Sequence, residues 1–352
     1  GLIPAAARRM GIPCLFTVHN IHTQKATLDA IEDRGIDAAP FWQNLYYERQ
    51  PINYEESRST NPVDQLASGI FAAHFINTVS PTYAEEIKNP YFSEGMDGML
   101  YARQRGQVAD FPVPEVDPYL EVKFDADTHV QAKQVNKIAF QARTGLKVDQ
   151  NAPLFFWPSR LDPVQKGCQL LADVLYELVH RYWEKNLQIA FVANGSYQKV
   201  FRDIVAFHDF YDRVTVCDFD EGLSHLAFAA SDFILMPSLF EPCGLPQMTC
   251  QYYGSLPVVH DTGGLHDTVD PLDIAKNTGN GFRFETYDDG GLLWAVGEAM
   301  HFYEQPAEVK ENIISRVMRE SRQRFNHDVT AQAYIKIYES MLARPLVQHS
   351  IS

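Results

Sequence analysis

Apolar runs of strand length alternate with stretches of helical spacing along most of the chain. The strongest helix signal is at 167–183, where Leu170, Leu171, Val174, Leu175, Leu178, Val179 and Tyr182 recur on one face. Around it, residues 154–158, 187–193, 213–217, 232–236 and 256–259 form short, largely apolar runs. The segments 197–208, 223–230 and 247–253 between them read as helices. Strands without polar alternation, separated by helices, predict a parallel sheet covered on both faces. Nearer the start, a helical segment at 4–10 runs into a strand-like stretch at 12–18, and a helix at 62–73 into a strand at 74–79. Ser80 and Pro81 suit the N-cap and first position of a further helix. Residues 127–144 read as a polar helix of modest amphipathicity. The stretch 106–118, with Pro112, Pro114 and Pro118 among acidic residues, breaks the rhythm and reads as linker. The expected organisation is therefore an α/β domain at 1–105, entered part-way and so incomplete, a linker and connecting helix at 106–150, a second α/β domain at 151–325 and a terminal helix at 326–352.

Composition narrows the function classes. The 352 residues suit two domains of about 150 each. With 30 Lys plus Arg against 45 Asp plus Glu, the net charge is −15, which disfavours nucleic acid as a partner. Hydrophobic residues at 45% and charged residues at 21% match a packed globular protein. No apolar run reaches the roughly 18–20 residues that span a bilayer. Five cysteines without a C-x-x-C argue for a reducing compartment, so a cytoplasmic location is expected, or a plastid for a plant source. The opening Gly1-Leu2-Ile3-Pro4 resembles neither a signal peptide nor a transit peptide.

In a parallel sheet, ligands bind beyond the carboxyl ends of the strands, so the residues after each strand matter most. After the run at 154–158 come Arg160 and Lys166 at the mouth of a helix. Cations are disfavoured at a helix N-terminus unless an anion sits between them, and a diphosphate would fit; a pair of solvated surface charges is the plainer alternative. After 232–236 comes Glu241-Pro242-Cys243-Gly244-Leu245, a carboxylate before a glycine turn. Glu241 there suits sugar hydroxyls or a developing cation, or serves simply as an acid at a helix start. After 256–259 comes Thr262-Gly263-Gly264, a backbone nest for an anion or an ordinary strand-to-helix turn. His19, after the first strand run, reads equally as structural or functional. Asp218-Phe219-Asp220, beside Glu221 and near His225, is a short acidic match of low specificity, and no metal is expected.

Taken together the motifs resemble those of bacterial glycogen synthases and plant starch synthases. Thr17-Val18-His19-Asn20, Asn77-Thr78-Val79-Ser80-Pro81-Thr82, Ser159-Arg160-Leu161 with Gln165-Lys166-Gly167, Ser238-Leu239-Phe240-Glu241-Pro242-Cys243-Gly244-Leu245 and Thr262-Gly263-Gly264-Leu265 occur in the family's order. The resemblance implies the GT-B architecture, two facing Rossmann-like domains, with the terminal helix crossing back to the first. It implies retaining transfer of glucose from ADP-glucose or UDP-glucose to an α-1,4-glucan, without cofactor or metal. Arg160 and Lys166 would grip the diphosphate and Glu241 would lie near the transferred glucose. The backbone of Cys243, Gly244 and Leu245 and the turn at Thr262, Gly263 and Gly264 would bind the donor. His19 and Asn20 would approach the sugar from the other domain. The chain departs from the pattern in lacking K-x-G-G-L and L-N-G-[IV]-D, in Ala67 at a lysine position and in Pro246 where threonine is common. Thr249 stands where other GT-B transferases carry a second glutamate. Such a transferase, or a non-catalytic nucleotide-sugar- or glucan-binding remnant, is the alternative.

Overall fold

The computed structural model describes residues 1–22, 24–89, 103–104 and 113–343. The chain divides into two compact units, Gly1–Gln107 with Asp328–Ser352, and Val108–His327. Among the described residues no helix is long and apolar enough to cross a membrane.

In the first unit the order is α1 (Leu2–Arg9), β1 (Leu15–Val18), α2 (Leu28–Glu32), β2 (Tyr46–Tyr47), α3 (Tyr54–Thr60), β3 (Val63–Asp64), α4 (Gln65–Ala72), β4 (Phe75–Thr78), α5 (Pro81–Glu86) and β5 (Arg103–Gln104). Strands β1, β4 and β5 form a parallel sheet, and β2 pairs antiparallel with β3. Two expectations are corrected. The strand at 12–18 is confined to Leu15–Val18. The helix expected at 62–73 begins only at Gln65, because Val63 and Asp64 pair with Tyr46 and Tyr47. Asp64 then turns from strand to N-cap, its carboxylate accepting the Ala67 N–H. Ser80 caps α5 in the same way, with Pro81 at the first helical position.

The second unit runs α6 (His129–Thr144), β6 (Leu154–Trp157), α7 (Cys168–Arg181), β7 (Gln188–Val192), α8 (Gln198–His208), β8 (Val214–Cys217), α9 (Glu221–Ala230), β9 (Phe233–Met236), α10 (Pro246–Tyr252), β10 (Leu256–His260), α11 (Gly263–Thr268), β11 (Phe282–Phe284), α12 (Asp289–Tyr303) and α13 (Ala307–Arg324). Helix α14 (His327–Leu342) follows and enters the first unit at Asp328. The six strands are all parallel, in the order β11-β10-β9-β6-β7-β8. Strand β11 is a sixth member that the apolar-run pattern does not mark. Alternate residues along β6 and β9 feed opposite cores: Phe155, Trp157, Phe233 and Leu235 pack on one face, Leu154, Phe156, Ile234 and Met236 on the other. All are buried, which is why the strands carry no polar alternation.

The stretch read as linker holds a surprise. Residues 106–112 lie outside the described residues. Asp117, however, is wholly buried and accepts hydrogen bonds from Tyr253 Oη (2.5 Å) and contacts His225 Nδ1 (2.8 Å). The polar helix α6 also belongs to this unit. Its Lys133 Nζ donates to the carbonyls of Ala229, Ser231 and Tyr253 at 2.8–3.0 Å, and Lys137 Nζ to Ala152 O and Asp232 Oδ2. Helix α6 looked only weakly amphipathic because part of its buried face consists of hydrogen-bonded Lys, Asn and Gln.

Candidate active site

From β6 the chain steps outward to β7 and β8, then returns to β9 on the other side of β6 and continues to β10 and β11. The loops leaving β6 and β9 therefore diverge at the point where strand order reverses, the position at which open α/β sheets hold their ligands.

Internal bonds shape the loop after β6. Asp162 Oδ1 accepts the N–H groups of Val164 and Gln165, each at 2.9 Å. These bonds, the Gln165 N–H first, together with the charges of Arg160 and Lys166, hold the Asp162 carboxyl below the usual range against partial desolvation. The loop is stitched to the one after β9: Leu239 N–H donates to Gln165 O (2.9 Å) and Gln165 Nε2 to Phe240 O (3.3 Å). Gly167, the N-cap of α7, has φ +76°, and a Cβ there would lie 1.9 Å from Pro237 O. Only glycine permits both the left-handed turn and the close approach of the two loops.

These constraints bring Lys166 and Glu241 together. Lys166 Nζ donates to Glu241 Oε2 at 2.5 Å, with side-chain exposures of 12% and 6%. Ser238 Oγ donates to the same oxygen at 3.1 Å, so both donors hold one carboxylate oxygen and fix the rotamer. His260, at the end of β10, reaches Ser238 O from Nδ1 at 2.7 Å. A carbonyl only accepts, so Nδ1 carries the proton, and burial pushes the imidazole pKa down, favouring the neutral ring. The third turn closes on the second. Gly264 N–H donates to Glu241 O at 2.8 Å, and a Cβ on Gly264 would lie 1.9 Å from Cys243 O. Gln247 Nε2 donates to the carbonyls of Cys243 and Gly244, each at 3.0 Å, and to Thr268 Oγ1 at 3.1 Å.

Lys166, Glu241, Cys243 and Gly264 thus form one constellation. Arg160 lies exposed on the loop that carries Lys166, Leu245 is exposed, and Thr262 and Gly263 are buried at the start of α11. In the first unit, His19 is exposed just after β1, and Asn20 Oδ1 accepts the His22 N–H at 3.1 Å. Residue-type reasoning missed Ser238, Gln165, Gln247 and His260. Ser238 stands three residues before Glu241 and His260 ends an apolar strand; both positions were legible, but neither side chain's partner was.

Three other features have structural explanations. Asp218 pairs with Arg202 at 2.8 Å, Asp220 caps α9 by accepting the Leu223 N–H at 2.7 Å, and His225 meets Asp117. Pro246 opens α10 at a first-turn position, where a missing N–H leaves no intrahelical bond unmade. The Cys168 thiol is raised to about 12 by burial first and Asp162 second, and is unsuited to nucleophilic work.

A family model described as "Starch synthase catalytic domain" matches residues 1–102, and one described as "Glycosyl transferases group 1" matches residues 140–316. Glycogen synthase of Anoxybacillus flavithermus is 34% identical over 94% of this chain and 66% of its own length. That of Bacillus cereus is 35% identical over 94% of this chain and 67% of its own. The chain thus spans about two thirds of these relatives, and just under that share of the first. Among solved structures, the catalytic domain of Arabidopsis thaliana starch synthase IV, bound to ADP and acarbose, aligns with a TM-score of 0.78 and 29% identity over 96% of this chain and 69% of that one. Anabaena HepE, solved with UDP, shares the fold at TM-score 0.58 and 15% identity, over 96% of this chain and 75% of that one. The chain belongs to the glycogen synthase and starch synthase family of GT-B glycosyltransferases.

Proposed function

We propose that this protein transfers glucose from a nucleotide diphosphate sugar, ADP-glucose in the first instance, to the end of an α-1,4-glucan with retention of configuration. The observation that carries this reading is the Lys166–Glu241 pair, 2.5 Å apart at the switch point of the sheet, beside glycine turns where the backbone packs too closely for any Cβ. Retaining transfer develops positive charge on the sugar and negative charge on the departing diphosphate. Lys166 and Arg160 supply cations for the diphosphate, and Glu241 supplies a carboxylate for the sugar. Because Lys166 and Ser238 both donate to Oε2, the other carboxylate oxygen is left for the ligand. Such pre-oriented charges need no reorganisation as the bond breaks. In the same reading His19 and Asn20 contribute from the first unit, and the backbone at Cys243, Gly244, Leu245, Thr262, Gly263 and Gly264 binds the donor.

The test is transfer of labelled glucose from ADP-glucose or UDP-glucose to glycogen by the full-length protein, with and without EDTA. Transfer that survives EDTA is expected, with the labelled glucan sensitive to α-1,4-specific hydrolysis. Donor hydrolysis or label in a lipid or small glycoside would overturn the reading.

A further inference from the structure

The segment from Ser238 to Glu241 carries the carboxylate away from β9, and its peptide groups are clamped in turn. The peptide between Ser238 and Leu239 is held at both ends. Its carbonyl accepts His260 Nδ1–H at 2.7 Å, and its N–H donates to Gln165 O at 2.9 Å. Phe240 O accepts Gln165 Nε2 at 3.3 Å, and Glu241 O accepts the Gly264 N–H at 2.8 Å. Residues 260 and 264, at the end of β10 and in the turn beyond it, thus bracket residues 238 and 241.

His260 differs from the other clamps in what it holds. Its partner is the residue whose own hydroxyl donates to Glu241 Oε2 at 3.1 Å. The imidazole is 8% exposed. It lies against Phe284, with centroids 5.4 Å apart, and edge-on to Tyr287, at 4.9 Å and 62°. Tyr287 in turn reaches the Gly167 turn, its hydroxyl 3.2 Å from where a Cβ would stand. A ring packed against two others keeps one orientation, so the direction of its Nδ1–H is set before any ligand arrives. Rotation of the Ser238–Leu239 peptide would carry the serine Oγ off the carboxylate, and His260 opposes that rotation.

We propose that His260 is a positioning residue for glucosyl transfer, acting through the Ser238 carbonyl and hydroxyl to hold the Glu241 carboxylate where positive charge develops on the sugar. This inference rests on the reaction proposed above, in which Glu241 serves that charge. A carboxylate whose partner exists mainly in the transition state loses rate, and not ground-state binding, when it is misaligned. Small misplacements are enough to matter.

Steady-state transfer from ADP-glucose to glycogen by the full-length protein tests this, with every variant assayed well below its thermal midpoint. His260→Leu keeps most of the bulk and removes the N–H. It should lower kcat by about 10–100-fold, with KM for ADP-glucose and affinity for ADP unchanged. His260→Asn places an amide N–H where Nδ1 stands and should recover most of that loss. His260→Gln, whose amide falls nearer the Nε2 position, should not. Ser238→Ala leaves the backbone contacts in place and should also lower kcat, which decides the matter should His260→Leu fail to fold. Added to Glu241→Gln, His260→Leu should cost little more than Glu241→Gln alone, because both act through one carboxylate. Equal losses in the Leu and Asn variants, a raised KM at unchanged kcat, an unchanged kcat in Ser238→Ala, or a fully additive double variant would each overturn the proposal. Wild-type protein that transfers no glucose overturns the reaction instead. Crystal structures of wild type and His260→Leu then decide the positioning: Ser238 Oγ drawn off Glu241 Oε2 is expected, and an unmoved serine and carboxylate would overturn it.

Discussion

Strands β6 and β9 carry a lysine–carboxylate pair beyond each of their ends, and the two pairs differ in what surrounds them. At the amino ends, Lys137 Nζ meets Asp232 Oδ2 at 2.6 Å, with exposures of 4% and 20%. Lys137 also donates to Ala152 O, and Asp232 Oδ2 accepts the Leu154 N–H. This pair finishes the sheet: it satisfies backbone groups at and just before the start of β6. At the carboxyl ends, Lys166 meets Glu241 with similar burial, but the surroundings are glycine turns and loop carbonyls tied to one another. The second pair secures no strand end. A buried ion pair is in itself weak evidence of stabilisation, because desolvation offsets the attraction. What distinguishes structural from functional use is whether the remaining valences go to backbone or stay open to a ligand.

Substitutions at three residue pairs can break or sharpen this contrast. The largest expected effect is at the carboxyl-end pair. Lys166→Ala or Glu241→Gln should reduce transfer by about 10²–10³-fold, the usual loss for one pre-oriented charge. Lys166→Ala, which leaves Glu241 buried and unpaired, should lower the thermal midpoint and also weaken ADP binding measured calorimetrically, whereas Glu241→Gln, which still accepts from Lys166 and Ser238, should move the midpoint less. If either variant lost stability as Lys137→Met does and yet kept its turnover, the two pairs would be alike and the contrast void. At the amino ends, Lys137→Met should cost about 3 kcal/mol in denaturant unfolding by leaving Asp232 partly buried and unpaired. Asp232→Asn should cost less, because an amide still accepts from Leu154 N–H. A loss of activity larger than the loss of stability would place this pair in the reaction after all. The smallest effect is expected at the acidic pair after β8. Asp220→Ala should cost about 1 kcal/mol, as lost helix caps do, and Asp218→Ala less, with transfer unaltered in both. Abolished transfer in the Asp220 variant would move the chemistry to that strand end.

His260 links the site to pH. Burial lowers its pKa in the folded state, so between that value and the ordinary 6.5 the unfolded chain binds more protons. Stability therefore rises with pH across this window and is lost on acidification below about 6.5.

Much of the second unit could be read from sequence because its signals are local. Apolar runs at 154–158 and 232–236 need no partner to look like strands buried on both faces. The glycines at 167 and 264 stand where chemistry follows a strand, and the motif order names the family. Other features escaped. Strand β3 is two residues long and exists because Tyr46 and Tyr47 pair with it, so Val63 and Asp64 read as the start of a helix. Asp117 sat among prolines and acids and looked like linker, yet it is buried against Tyr253 Oη across 136 positions of chain. Helix α6 looked polar because part of its buried face uses hydrogen bonds in place of apolar contact.

By itself, then, the order of residues determined the α/β alternation, the strand ends at which to look and the residue types waiting there. Those are properties of short segments, set by periodicity, by turn chemistry and by the few residues that tolerate a left-handed backbone. Only the tertiary structure decided that Lys166 and Ser238 converge on one oxygen of Glu241, that Asp220 is a cap, and that His260 holds the Ser238 carbonyl. Each of those outcomes depends on where separate segments come to rest, and that is set by the strand order and by how closely two loops can pack when neither carries a Cβ in the way.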